Sequence, residues 1–278
     1  MTKKRKNNSS DIPDKSFQKL SIQVSLNGLS FCVADTVSHK IVYSDYLVFP
    51  EELNIVAVQD QLDKLVKKHQ LHQKQFDHVT VVHRNTLFGL VPKALFDANS
   101  LSDYLKFNTR IFPTDSLAYD ELEHQDIINV YVPYANINNY IYDIFGEFTF
   151  FHNGTILIQS LLNGYGNQKD TICYAHVSKN QLDICVVAHK NLLLYNSFLY
   201  ETKEDFAYYL LFVLEQLELD NDQVPVKLFG AIEEDHAVFK LCRKYIKKII
   251  IFTPSSPQYL QLGEPEGPRI DFTVLNTL

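Results

Sequence analysis

The sequence predicts an α/β protein of two related lobes, and three observations lead there. "SLNGLSFCVAD", from Ser25, and "SKNQLDICVVA", from Ser178, align without a gap. Ser25 meets Ser178, Asn27 meets Asn180, Leu29 meets Leu182, Cys32 meets Cys185 and Val33 meets Val186. Each stretch also lies in the same order of elements: three strand-like runs, an amphipathic helix and a further strand. The composition agrees, since 19 Phe and 16 Tyr with no Trp suit pleated surfaces. A chain of 278 residues, 46% hydrophobic and 21% charged, is globular and long enough for two lobes.

The first sixteen residues, "MTKKRKNNSSDIPDKS", have nothing to bury and are expected to be a disordered basic tail. Lys3, Lys4, Arg5 and Lys6 offer an anionic contact, but so short a run reads better as solubilising. The first lobe is expected over residues 17–162. "KLSIQVS" alternates apolar and polar residues as a half-buried strand does, and Asn27-Gly28 signals a hairpin turn. "LSFCVAD" returns and "KIVYSDYLVF" makes a third strand. Pro50-Glu51-Glu52 supplies a helix start, with Leu53, Val56, Leu62, Leu65 and Val66 at helical spacing up to about His69. "FDHVTVVH" is the next strand, "DIINVYVPY" another and "ANINNYIYDIFG" a helix. "EFTFFHNGTILIQSLL" predicts a hairpin turning at Asn153-Gly154.

Residues 163–170, with Gly164 and Gly166, read as a linker. The second lobe, 171–278, then repeats the order and ends in a C-terminal extension. "DTICYAHV", "LDICVVA" and "NLLLYNSFLY" are its strands, with Tyr195 one residue off the register of Tyr43. "KEDFAYYLLFVLEQLEL" is its amphipathic helix. "VPVKLFGAI" and "IIIFT" are strands flanking a helix over "EEDHAVFKLCRKYIKK". This is a duplicated unit.

A net charge of −7 argues against a general nucleic-acid surface, leaving only the tail for such contact. Cys32, Cys173, Cys185 and Cys242 form no CxxC pair and sit in apolar runs, as reduced structural thiols do. No apolar run is long enough to cross a bilayer, so a cytoplasmic protein without membrane association is expected. His69, His72, His78 and His83 form the densest histidine group, but no acidic or cysteine ligand completes a metal motif, and histidines near a helix C-terminus complement its dipole. Glu233, Glu234, Asp235 and His236 read as a helix start rather than acid–base machinery. Tyr140, Tyr142, Phe145, Phe148, Phe150 and Phe151 are expected to build the first core, with some facing outward as a partner surface.

Two lobes, each a hairpin plus a third strand followed by helix and strand, resemble the actin-like ATPase superfamily of sugar kinases, Hsp70-type ATPase domains and actins. More narrowly, the chain is similar to a Bacteroidetes family of that superfamily defined by a domain of unknown function. The resemblance covers most of residues 17–252 and implies a duplicated actin-like (ribonuclease H-like) two-lobe architecture, with mixed sheets flanked by helices. It also implies that each hairpin turn holds nucleotide phosphate. The first would carry Asp-x-Gly-Thr/Ser and the second Asp-x-Gly-Gly-Gly-Thr-x-Asp. Glycines admit backbone N–H groups to phosphate, and carboxylates hold Mg²⁺.

Carried over residue by residue, these motifs are degenerate. The leading Asp positions fall on Gln23 and His176, and the first motif's glycine falls on Ser25, ahead of Asn27 and Gly28. The second motif's glycine run becomes Ser178, Lys179 and Asn180, leaving Asp183 at its end. In the adenosine strand Gly230 is kept, and Ala231 stands at the second glycine. An amide and an imidazole do not replace two carboxylates around magnesium. These residues are expected to be ordinary turn and sheet residues, and Lys179 a solvated turn lysine. The expectation is a non-catalytic binding or scaffold protein with no cofactor, no metal and a protein partner. The alternative is a nucleotide or phosphorylated-ligand binding protein, an atypical ATPase or kinase, using the inter-lobe cleft.

Overall fold

A computed structural model describes residues 17–165, 170–254 and 270–278; the basic tail and residues 166–169 of the expected linker lie outside them. The first sheet comprises β1 (Gln18–Ser25), β2 (Gly28–Asp35), β3 (Lys40–Val48), β4 (His78–His83) and β8 (Thr149–His152), in the order β3-β2-β1-β4-β8. The second comprises β9 (Ile172–Val177), β10 (Gln181–Ala188), β11 (Asn191–Leu199), β12 (Val226–Gly230) and β13 (Ile249–Ile251), in the order β11-β10-β9-β12-β13. The two orders are the same. In each, the hairpin strands pair antiparallel and the last two strands join in parallel. The repeat reaches the irregularities: the ladder shifts between Val33 and Ala34 in one sheet and between Val186 and Val187 in the other. Those shifts lie at the same interval as Ser25 and Ser178.

Alternation along the strands decides what each face does. Leu20, Ile22, Val24, Leu29, Phe31 and Val33 form one core with α1 (Ile55–Lys68) and α3 (Ala135–Phe145). Cys173, Ala175, Leu182, Ile184 and Val186 form its counterpart with α5 (Lys203–Gln216) and α6 (Ala237–Cys242). The opposite faces of the two sheets look toward each other. There the helices cross over. α4 (Asn153–Tyr165) follows the first sheet, yet its Leu157, Ile158 and Leu161 pack with Ile172, Tyr174 and Cys185 of the second. α7 (Phe272–Leu275) follows the second sheet, yet Val274 and Leu278 pack on Cys32 and Ala34 of the first. The aligned cysteines of the repeat thus lie under each other's terminal helices. All four cysteines are free and buried, and burial pushes the Cys32, Cys173 and Cys242 thiols up to about 12.

Between β4 and α3 the chain inserts β5 (Phe88–Pro92), α2 (Leu101–Leu105), β6 (Ala118–Leu122) and β7 (Ile127–Tyr131), with the three strands in a small antiparallel sheet ordered β5-β7-β6. Tyr140, Phe145, Phe148 and Phe150 pack against the first core, whereas Tyr142 faces solvent.

Several expectations are corrected. Asn153-Gly154 does not turn a hairpin; it starts α4. β8 pairs with β4 in parallel and sits at the sheet edge, and "TILIQSLL" is a buried helix whose continuous apolar run does not distinguish it from a strand. The expected linker therefore loses residues 163–165 to α4. α1 begins at Ile55, capped by the Asn54 side chain, and not at Pro50. Backbone bonds from Phe49 to Asn27 and from Leu53 to Leu26 tie the intervening residues to the first hairpin turn. That turn is Leu26-Asn27, and Gly28 opens β2, where a Cβ would lie 2.6 Å from the Leu47 carbonyl oxygen. α6 starts only after His236, whose ring caps Val238 N–H, and it ends at Cys242. The one-residue offset expected between Tyr43 and Tyr195 is present: Ser44, next to Tyr43, lies opposite Cys32 as Tyr195 lies opposite Cys185.

Candidate functional site

The facing surfaces of the two sheets form the inter-lobe cleft, and strand alternation brings Gln23, His176 and Asp183 onto it. The two hairpin turns close on each other across the cleft. Asn180 Nδ2 lies 3.4 Å from Asn27 Oδ1, joining the repeat's own equivalents. Ser25 Oγ donates to the Gly28 carbonyl and Ser178 Oγ to the Gln181 carbonyl, the same bond in both copies. Lys179 is exposed, as expected of a turn lysine, and its Nζ also donates to the carbonyls of Phe49, at 2.7 Å, and Pro50, fastening the second turn to the first lobe. A lysine finds this use because Phe49 and Pro50, past the end of β3, present carbonyl oxygens as acceptors outside the strand ladder.

At the floor of the cleft lies a buried charge cluster. Arg84, one residue past β4, extends that strand's pairing through its N–H to Val24 O. Its side chain is 4% exposed and Nη2 donates to Asp183 Oδ2 at 2.6 Å, while Nη1 lies 3.6 Å from Asp271 Oδ2. Asp183 is fully buried and also accepts from Ser197 Oγ at 2.6 Å, Gln181 Nε2 at 3.0 Å and Asn153 Nδ2 at 3.2 Å. Burial alone would raise its carboxyl, but the Arg84 charge, His176 and the Ser197 hydroxyl outweigh burial and hold it well below the usual carboxylate range. Asp271 caps α7 and accepts from Gln23 Nε2 at 2.9 Å; its carboxyl is likewise held down against burial by His176, Arg84 and Thr273. His176 stacks on Phe229 at 4.9 Å, with Nε2 3.7 Å from Asp271 Oδ2 and Nδ1 3.5 Å from Asp183 Oδ2.

The two positions that resemble the leading Asp residues, Gln23 and His176, therefore both meet one carboxylate, Asp271. Gln23 Nε2 also donates to Thr273 Oγ1 at 2.6 Å. Gly230 serves packing between strands: at φ +96° it lets β12 pass β9, where a Cβ would lie 2.3 Å from the Val177 carbonyl oxygen. Ala231 N–H donates to that same oxygen at 2.8 Å. The histidine group is dispersed. His69 bonds Asp45, His83 is buried on Asn138 and His78 faces solvent. Among the described residues no cluster of three or more His, Cys, Asp or Glu side chains could hold a metal ion.

Arg84, Asp271, Thr273, Asn153 and Ser197 belong to the site without a sequence motif to mark them. One signal was readable: Asp271 and Thr273 open the apolar run "DFTVL" as a helix cap does. Arg84 offers only an arginine directly behind an apolar strand.

No curated protein matches the chain. Among solved structures, a Bacteroides thetaiotaomicron VPI-5482 protein with actin-like ATPase fold and unknown function superposes with a TM-score of 0.74 at 20% identity, over 89% of this chain and 95% of that one. The PilM–PilN type IV pilus biogenesis complex superposes with a TM-score of 0.56 at 9% identity, over 83% of this chain and 87% of that one. The likeness establishes the actin-like ATPase fold. The family described as "Protein of unknown function (DUF3822)" matches residues 7–249, and the chain belongs to that family.

Proposed function

We propose that this chain is a non-catalytic binding protein in which the actin-like cleft is filled from within. The observation that carries this reading is Asp271: a carboxylate of the chain itself occupies the position between Gln23, Arg84 and His176, where the resemblance would place the magnesium ion held by the two leading Asp residues. Asp183, the one carboxylate left from the second motif, is engaged by Arg84 and three neutral donors. It has no free lone pair aimed at the cleft for a magnesium ion, which takes oxygen ligands in near-octahedral geometry. The hairpin turns bond to each other and to Phe49 and Pro50 in place of phosphate. The PilM–PilN structure, in which a protein of this fold is part of a complex, supports a role in protein assembly.

Calorimetric titration with ATP, with and without Mg²⁺, tests the reading. The expected result is no saturable heat and no thermal shift. Stoichiometric micromolar binding would restore the nucleotide-site alternative.

A further inference from the structure

The segment Ile270–Leu278 is attached to the molecule in an unusual way. Among the described residues its backbone bonds are to itself, from Leu275 N–H to Asp271 O and from Asn276 N–H to Phe272 O, and it joins neither sheet. Side chains alone dock it. Phe272 packs edge-on against Phe229 at 5.3 Å, Thr273 and Val274 are fully buried, and Thr277 bonds Ser21. A four-residue helix has no stability of its own, so the groove sets its conformation.

We infer that Ile270–Leu278 is a self-docked peptide, and that the inter-lobe cleft is a groove for a segment of its chemistry: an acidic helix cap followed by apolar residues one and three positions on. Three observations point there. Both five-stranded sheets are complete without the segment, and the DUF3822 match ends at residue 249, before it. The groove also tolerates its departure electrostatically. Arg84 keeps Asp183 at 2.6 Å, so release strands no buried cation, and Asp271 returns to water. Finally, residues 252–269 lie between β13 and the segment in sequence, 18 positions with an extended length of about 60 Å, so undocking need not pull on the sheet. α4, which covers the equivalent face of the second sheet, has no such freedom, because it continues directly from β8.

This inference rests on the reading of the cleft as a non-nucleotide site, and two measurements on the full chain test it. In hydrogen exchange of the wild type, the amides of Val274–Thr277 are expected to open at lower denaturant than those of β1 and β9. Exchange only by global unfolding would overturn the inference. In the second, a fluorescent peptide of sequence IDFTVLNTL is titrated into the wild type and into full-length Phe272→Ala. The tethered segment competes at an effective concentration of order millimolar, so the variant is expected to bind the peptide at least about tenfold more tightly than the wild type. A peptide carrying Asp271→Ala should lose at least about tenfold in turn, through loss of its cap and its charged contacts. A folded variant that ignores the peptide would overturn the inference and leave the binding-protein reading intact. ATP that displaces the segment, with the peptide still binding the variant, would support self-docking and overturn the binding-protein reading.

Discussion

Replacing Arg84 by methionine removes its guanidinium from the cleft floor while keeping a long apolar stem. Asp183 then stays fully buried with Ser197, Gln181 and Asn153 as neutral donors. A charge pair 2.6 Å apart attracts by about 6 kcal/mol at an effective dielectric of 20, most of it offset by desolvation. Removing one partner of a buried pair costs about 3–5 kcal/mol, and the three remaining donors place this case near the lower end, about 3 kcal/mol. For a chain of this size that corresponds to about 5 °C in Tm. Urea unfolding of the wild type, Arg84→Met, Asp183→Asn and the double variant reads the pair as a cycle. The double variant should recover about 2 kcal/mol relative to the sum of the singles. The pH dependence supplies a second signature. In the wild type the depressed Asp183 contributes stability that is present above the ordinary carboxylate range and lost only as pH falls below it. Without Arg84, burial dominates and raises that carboxyl, so the deficit should narrow from pH 7 to pH 5. A loss under about 1 kcal/mol, or strict additivity in the cycle, would refute the claim that this pair holds the floor together.

Acid should destabilise the fold early. Burial lowers His83 to about 3 and His152 to about 4, so each contributes stability that is complete above the free-imidazole value and lost as pH falls through it. Asp120, raised to about 6 by burial, works in the opposite sense and regains part of that loss. The net loss from pH 7 to pH 4 is about 4 kcal/mol, and a urea midpoint that stays flat over that range would contradict it. Gly154→Ala should cost about 1–2 kcal/mol despite alanine's better helix propensity, because its Cβ would lie 2.5 Å from the buried Tyr195 ring. Thermal melting decides it, and an unchanged or raised Tm would show that the ring yields.

The duplication was legible because strands advertise themselves by alternation, and the two copies of the hairpin match residue for residue with even the bulge repeated. Gln23, His176 and Asp183 are singled out in the sequence by resemblance to the phosphate motifs, and strand alternation puts all three on the faces opposite the two cores. Their partners were not. Arg84 and Asp271 lie 187 positions apart and carry no common motif, and a salt-bridged floor is a property of three-dimensional convergence rather than of spacing. The run "TILIQSLL" failed for a different reason: a helix buried on most of its surface has no polar face to set its period. The bonds of the exposed Lys179 could not be read from the sequence, because its acceptors, two backbone carbonyls, are invisible in residue types.

The exchange of terminal helices between the sheets sets an order for making this protein. α4 is synthesised just before the second sheet whose face it will cover, so that surface finds its partner as it emerges. The first sheet is made earliest, yet Cys32 and Ala34 wait for Val274 and Leu278, far later in the sequence. During synthesis from the N-terminus, that apolar patch stays uncovered until Ile270–Leu278 has left the ribosome. The lobe begun first is the one finished last, and the long sequence separation of its closing contacts should make that final docking a slow step.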